Sequence, residues 1–218
     1  MSERLTDLQR RILAILAPVR PPWTLTGGGA LAGFHLRHRT TRDLDLFWHG
    51  RAGFDREPDD CARRLLAAGL QVDTLQRSPA FVRLLVKDAQ DTVLVDLVAE
   101  PVRNAMPPVC SDTPGGPIQV DSAQEILANK LGCLLHRAEL RDLVDLQALL
   151  EAGLDLRRGL HDAGAKDLGF SPLMVGHLLA TFPVARLGKA LGLDATATDR
   201  LDAFRADLAA RIAAASRP

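Results

Sequence analysis

The chain opens with apolar residues set on one helical stripe: Leu5, Leu8, Ile12, Ile15 and Leu16. That spacing predicts a helix over about Thr6–Ala17, which Pro18 ends. Beyond Pro21-Pro22 the period changes. Trp23–Thr26 reads as a short strand running into Gly27-Gly28-Gly29, and Ala30–Leu36 reads as helix. Asp43–Trp48 alternates acidic and apolar residues, which is the period of a strand. A helix follows at about Asp59–Ala68, with Gly69 as its C-terminal stop. Gln71–Leu75, Phe81–Lys87 and Thr92–Val98 read as strands, the last two forming an antiparallel hairpin across the polar turn Asp88–Asp91. Five prolines and two glycines mark Pro101–Pro117 as a loop, with only a short strand at Ile118–Val120 after it.

From there the pattern is helical. Ser122 followed by Glu125 is a capping-box spacing that opens a long helix. Further helices are expected at about Leu140–Glu151, Pro172–Thr181 and Thr198–Ala214, with Ser171-Pro172 and Thr198-Asp199 as N-terminal caps. Strands first and helices afterwards predict an α+β fold: a mixed-sheet core over residues 1–120 and a helical C-terminal domain over residues 121–218.

Composition narrows the class. With 218 residues, 47% hydrophobic and 25% charged, the chain is of ordinary globular type, neither disordered nor fibrous. No apolar run reaches the ~18–20 residues of a membrane span. The polar N-terminus lacks a signal-peptide pattern, so a cytoplasmic protein without membrane partners is expected. Net charge is zero, which implies no wholesale grip on nucleic acid but leaves a local patch open. His35 and His38 sit beside Arg37, Arg39 and Arg42 in a stretch free of acids. That stretch reads either as a contact for nucleic acid or a base or, the reading favoured, as a solvated turn. Three distant cysteines, Cys61, Cys110 and Cys133, predict reduced thiols rather than a disulfide framework or a zinc site.

The chemistry concentrates in two segments. In an alternating strand Asp43 and Asp45 share a face, while Leu44 and Leu46 take the other. Two carboxylates held so close repel unless a cation lies between them, and a hard ion such as magnesium suits an all-oxygen site. A glycine run between strand and helix lets backbone amides approach a phosphate. Later, Asp96 lies in the strand Val93–Val98, where an acid among β-branched residues needs a partner. The second segment is Lys130-Leu131-Gly132-Cys133-Leu134-Leu135-His136-Arg137, followed by Arg141-Asp142-Leu143-Val144-Asp145-Leu146. On one unbroken helix Lys130, Arg137, Arg141 and Asp145 fall within about 80° of each other. Asp142 lies further round unless the helix breaks near Ala138. Such a basic stripe suits a triphosphate, or it forms salt bridges with neighbouring acids on a solvated helix.

Gly28-Gly29, thirteen intervening residues and Asp43-Leu44-Asp45-Leu46 resemble the signature of the polymerase-beta-like nucleotidyltransferases. More narrowly, Gly27–Leu31 and Leu36–Phe47, together with the Lys130–Leu146 motif, resemble the AbiEii/AbiGii toxin nucleotidyltransferases. That resemblance spans about residues 23–147 and implies a nucleotidyltransferase core. It also implies transfer of a nucleoside monophosphate from a nucleoside triphosphate to an acceptor hydroxyl. The residues it implies as catalytic are Asp43, Asp45, Asp96, Lys130 and Asp142. Asp43, Asp45 and Asp96 would hold two Mg²⁺ ions. Gly27, Gly28, Gly29, Arg39, Lys130, Arg137, Arg141 and Asp145 would bind the nucleotide. The acceptor implied is tRNA or another RNA, and the partner a cognate antitoxin. An aminoglycoside-type small-molecule transferase and a silent nucleotide-binding module are the alternatives. The family usually has Thr or Ser where Gly29 stands, which implies a lost hydroxyl contact to the phosphates and weaker nucleotide binding.

Overall fold

Thr6 determines where the first helix begins. Its side chain accepts from the backbone N–H of Gln9, and the Gln9 side chain accepts in return from the Thr6 N–H at 2.8 Å, a full capping box for α1 (Asp7–Leu16). Leu8, Ile12, Leu13 and Leu16 line the buried stripe of this helix. Gln9 is fully buried as well, and its Nε2 donates to the carbonyl of Thr41 at 3.0 Å. The helix cap thereby holds the segment that leads into the acidic strand. These features belong to a computed structural model that describes residues 4–137 and 139–215.

The chain divides into two compact units, Met1–Ser122 and Ala123–Pro218. Among the described residues the first unit carries one seven-stranded mixed sheet. Its strands are β1 (Thr24–Thr26), β2 (Asp43–His49), β3 (Gln71–Arg77), β4 (Phe81–Lys87), β5 (Thr92–Glu100), β6 (Val109–Thr113) and β7 (Gly116–Val120). The order is β3-β4-β5-β2-β1-β7-β6. β2 lies parallel to β5, and β1 parallel to β7; the other neighbours are antiparallel. Leu44, Leu46 and Trp48 of β2, Val93, Val95 and Leu97 of β5, and Val82, Leu84 and Val86 of β4 form one closed apolar face. α1 packs on α3 (Glu57–Ala67) and reaches β5 and β6. Gly69, at φ +80°, ends α3 as expected, and the Leu70 N–H bonds back to the Leu65 carbonyl. The opposite face is half-open.

Two expectations for this unit need correction. The glycines do not precede the helix but begin it: α2 (Gly27–Ala30) follows directly on β1 and widens into a π turn at Leu31–His35. The stretch Pro101–Pro117 is not one loop, because β6 and β7 form a hairpin that turns through Pro114-Gly115 and resumes at Gly116, φ +115°. Prolines suggested otherwise, yet β6 is an edge strand that starts after Pro107 and Pro108, and Pro117 stands near the start of β7, where a missing N–H is tolerated.

The second unit is helical, as expected: α4 (Ala123–His136), α5 (Leu140–Glu151), α6 (Leu156–Lys166), α7 (Pro172–Ala180), α8 (Val184–Ala190) and α9 (Ala195–Ala215). Ser171 caps α7 through Met174 N–H. The cap of α9 is Asp194, whose carboxylate accepts from Ala197 N–H at 2.7 Å; Thr198 lies inside the helix. α6 and α8 were not expected. α6 contains Gly159, where an added Cβ would come within 3.0 Å of Leu127, so this glycine serves a close helix crossing with α4. No helix among the described residues is long and apolar enough to cross a membrane.

Gln9→Ala removes the donor to a buried carbonyl and half of a capping box. We expect a loss of about 1–3 kcal/mol in stability, read from the urea midpoint; an unchanged midpoint would show that α1 does not anchor Thr41.

Candidate active site

On the open face of the sheet, residues of neighbouring strands stand side by side. Thr26 of β1 pairs with Asp45 of β2, Asp45 with Asp96 of β5, and Asp96 with Arg83 of β4. Asp43 lies two residues from Asp45 on the same face, opposite Leu94. The three acids read from the sequence therefore share one face of the sheet. Thr41 donates its hydroxyl to Oδ1 of Asp43. Since Gln9 holds the Thr41 carbonyl, Asp43 is oriented through a chain that starts at the cap of α1.

Glycine is required at position 27 for two reasons. Its φ is +61°, and a Cβ there would stand 2.5 Å from Oδ2 of Asp45. At Gly28 an added Cβ would meet the Arg39 guanidinium at 3.0 Å and the Thr41 hydroxyl at 3.1 Å. Arg39 thus lies over the glycine turn, where the first amides of α2 lack intrahelical acceptors. Gly29 differs. A Cβ there would point at Leu44 Cδ2 and Leu25 Cδ1, 3.2 and 3.3 Å away, in the apolar interior. A hydroxyl at this position would face the core, so the departure at Gly29 removes no side chain from the acidic face. Position 28 is the one whose side chain would join Arg39 and Thr41.

Arg83 was not anticipated. Its Nε and Nη2 donate to Oδ1 and Oδ2 of Asp96 at 2.7 and 2.6 Å, a two-bond fork. The fork to Asp96, opposed by partial burial and helped by the charges of Asp96, Asp45 and Asp43, holds the guanidinium above its ordinary range. His49, further along β2, brings its Nε2 to 4.0 Å from the buried carboxylate of Asp121, which also accepts from Asn104 at 2.5 Å. His35 is half-buried and bonds the Asp121 carbonyl through Nε2 at 2.7 Å, so it does not belong to a solvated turn.

Among the described residues no three His, Cys, Asp or Glu side chains converge into a ready metal cage. The donor set on the open face fits a hard divalent ion in part. Asp43 and Asp45 offer half-buried carboxylates at strand spacing, whereas both oxygens of Asp96 carry the Arg83 fork.

The Lys130 motif lies in the second unit. The helix does break: α4 ends at His136 and α5 starts at Leu140 (Ala138 falls outside the described residues). The break turns Asp142 inward. Lys130 Nζ lies 2.7 Å from Asp142 Oδ1 and 2.7 Å from Asp145 Oδ2, with all three side chains at most 8% exposed. Arg137 forks onto Asp142 at 2.9 and 3.2 Å. Arg141 does not join a stripe with Lys130; its guanidinium turns to Glu139 at 3.3 Å. Burial alone would push the Lys130 ammonium down, but Asp145 and Asp142 outweigh it and hold it above its usual value. Arg137 is raised as well, its burial outweighed by Asp142. The three cysteines are free thiols, and burial pushes Cys61 up to about 12.

Comparison with solved structures gives the class first: the fold is that of nucleotidyltransferases. MenT4, a nucleotidyltransferase toxin from Mycobacterium tuberculosis H37Rv, superposes with a TM-score of 0.61 at 16% identity, over 96% of this chain and 86% of that one. A putative nucleotidyltransferase from Helicobacter pylori gives 0.56 at 20% identity, over 97% and 96%. JHP933 from Helicobacter pylori gives 0.55 at 20%, over 94% and 89%. The family then follows from the sequence itself. Residues 11–215 match the nucleotidyl transferase AbiEii toxin family of type IV toxin–antitoxin systems, and the chain belongs to that family. It is a nucleotidyltransferase. No curated protein matches the sequence.

Two outcomes test this geometry. Gly27→Ala should lower both stability and nucleotidyl transfer, because it adds about 1–3 kcal/mol of backbone strain and presses on Asp45. Gly29→Ser should leave triphosphate affinity unchanged within about twofold; titration calorimetry showing tighter binding would place residue 29 on the acidic face. In the second unit Lys130→Met leaves two buried carboxylates without their ammonium, and a loss of about 3–5 kcal/mol is expected. Arg141→Ala should stay within about 0.5 kcal/mol. Because Lys130 titrates higher folded than unfolded, its contribution is intact below about pH 10.4 and is lost as pH rises through the folded value. Denaturant titrations at pH 8 and pH 11 would show it; equal Lys130→Met effects at both would contradict the assignment.

Proposed function

We propose that the protein transfers a nucleoside monophosphate from a nucleoside triphosphate to a hydroxyl of an RNA, with tRNA the first acceptor to test. The observation that carries this reading is the pair Asp43 and Asp45 on the open face, beside a helix that begins with three glycines. Asp43 and Asp45 would hold Mg²⁺, two ions when substrate is present, with Asp96 beside them. Mg²⁺ in such a site neutralises phosphate charge and makes the acceptor hydroxyl more acidic.

The chain's own residues supply the remainder. The first amides of α2 and the Arg39 guanidinium would take the phosphates. Asp96, adjacent to Asp45, would accept the proton as the acceptor oxygen bonds the α-phosphorus and the bond to pyrophosphate breaks. In the second unit Arg137 and Arg141 keep about half of their side chains exposed and would meet an anionic ligand, while Lys130, Asp142 and Asp145 fix Arg137 from within. Membership of a type IV toxin family supports two further parts of the reading: a cognate antitoxin that restrains the activity, and a cytoplasmic setting.

Incubation with each labelled nucleoside triphosphate, with and without bulk tRNA, tests the reaction. Label should enter RNA only with Mg²⁺. Asp43→Asn and Asp45→Asn should abolish transfer with an equal or slightly higher melting temperature, because each removes a repelling carboxylate. A folded protein that labels no RNA with any nucleotide would overturn the acceptor, and an active Asp45→Asn would overturn the metal site.

A further inference from the structure

Arg83 ends the row that runs Thr26, Asp45, Asp96 across three strands, and it is the cation of that row. Two bonds to Asp96 hold it, and its Cζ lies 5.5 Å from the centre of the Phe81 ring. Its side chain is nevertheless 40% exposed, against 11% for Asp96. We propose that Arg83 is the resident counter-ion of the carboxylate face and sets how tightly that face takes a divalent cation.

This rests on the metal reading above, and the argument is electrostatic. Three carboxylates gathered on one face repel, and the fork on Asp96 offsets one of the three charges. A guanidinium stays charged across the whole working range of pH, so this offset is permanent. A divalent ion arriving at Asp43 and Asp45 therefore meets an Asp96 whose charge is already offset. It also meets a fixed positive charge on the next strand but one. For Asp96 to turn to a metal, Arg83 must give up at least one of its two bonds. Its exposure permits that, since solvent can take the released donor. Arg83 is thus a positioning residue: it fixes the rotamer of Asp96 and keeps the empty face from binding cations indiscriminately. In a cell where magnesium is abundant, such a face would load in step with the triphosphate, whose own charge tips the balance.

The test is Mn²⁺ binding to the full chain without nucleotide, read from the paramagnetic resonance signal of free Mn²⁺. R83Q removes the charge, and R83M does so while keeping an aliphatic stem over Phe81. Both should bind Mn²⁺ about tenfold tighter than the unaltered chain, as expected for deleting a unit charge a few ångströms away at a partly solvated site. R83K keeps the charge and should stay within about threefold of the unaltered chain. Equal or weaker binding by folded R83Q and R83M overturns the inference, as does R83K binding as tightly as they do. If the unaltered chain and both neutral variants bind no Mn²⁺, the metal reading falls and takes this inference with it. Binding that persists unchanged in D45N likewise removes the cation from this face.

Discussion

The parallel pairing of β2 with β5, in the register that sets Asp45 beside Asp96, is the constraint on which the candidate site depends. Side chains alternate along a strand, so a slip of one residue would exchange the two faces of β5. Asp96 would then enter the closed layer of Leu44, Leu46 and their neighbours, and Val95 and Leu97 would meet solvent. Burying an unpaired carboxylate costs several kcal/mol, and exposing two aliphatic side chains loses about 1.5–3 kcal/mol each. The apolar core and the acidic row therefore specify the same register. The hairpin from β5 to β4 then delivers Arg83 to Asp96 with no further degree of freedom.

Two local devices hold the other acids. Asp43 is tied through Thr41 to Gln9, a buried glutamine that also closes the cap of α1. Asp45 lies against the bare Cα of Gly27, a position where any side chain would collide with it. Asp43 is thus oriented through hydrogen bonds, and Asp45 has its place because no Cβ stands on residue 27. The glycine run has three different duties in three consecutive residues. Gly27 provides the backbone conformation and the room for Asp45, Gly28 lies beneath Arg39, and Gly29 packs between Leu25 and Leu44. A family signature read as one motif conceals this division, in which a side chain at position 29 would start out toward Leu25 and Leu44.

Where the sequence carried a strict period, it was sufficient. The buried stripe of α1, the alternating strands β2, β4 and β5, and the stop at Gly69 were all legible from local chemistry. Legibility failed where residue type and tertiary role diverge. Gly159 weakens the helical pattern of α6 but serves its close packing on Leu127, and the prolines around β6 and β7 concealed an edge hairpin. Lys130, Arg137 and Arg141 share a face only on one unbroken helix. The break between His136 and Leu140 instead turns Asp142 onto Lys130. Arg83 was within reach of the sequence. A hairpin that pairs Lys87 with Thr92 places Arg83 opposite Asp96 by counting back along both strands. The signal was present, but no local motif names a residue whose importance comes only from its cross-strand partner.

Each unit pairs its acids with cations, and the difference in exposure separates their roles. Lys130 is 8% exposed and serves two carboxylates that are at most 1% exposed, so none of the three can turn to solvent without leaving a buried charge behind. That cluster is permanent. A loss of activity on substituting Lys130 would therefore follow from a loosened α4–α5 pair whether or not its ammonium meets substrate. Arg83 has a similar fork on Asp96, but two fifths of its side chain faces solvent, so it can release its partner and be rehydrated. The same chemistry, a cation on a carboxylate, is structural where water cannot reach it and exchangeable where water can. An exchangeable pair of this kind fits the proposed site for a divalent ion, where Asp96 would be yielded as the ligand arrives.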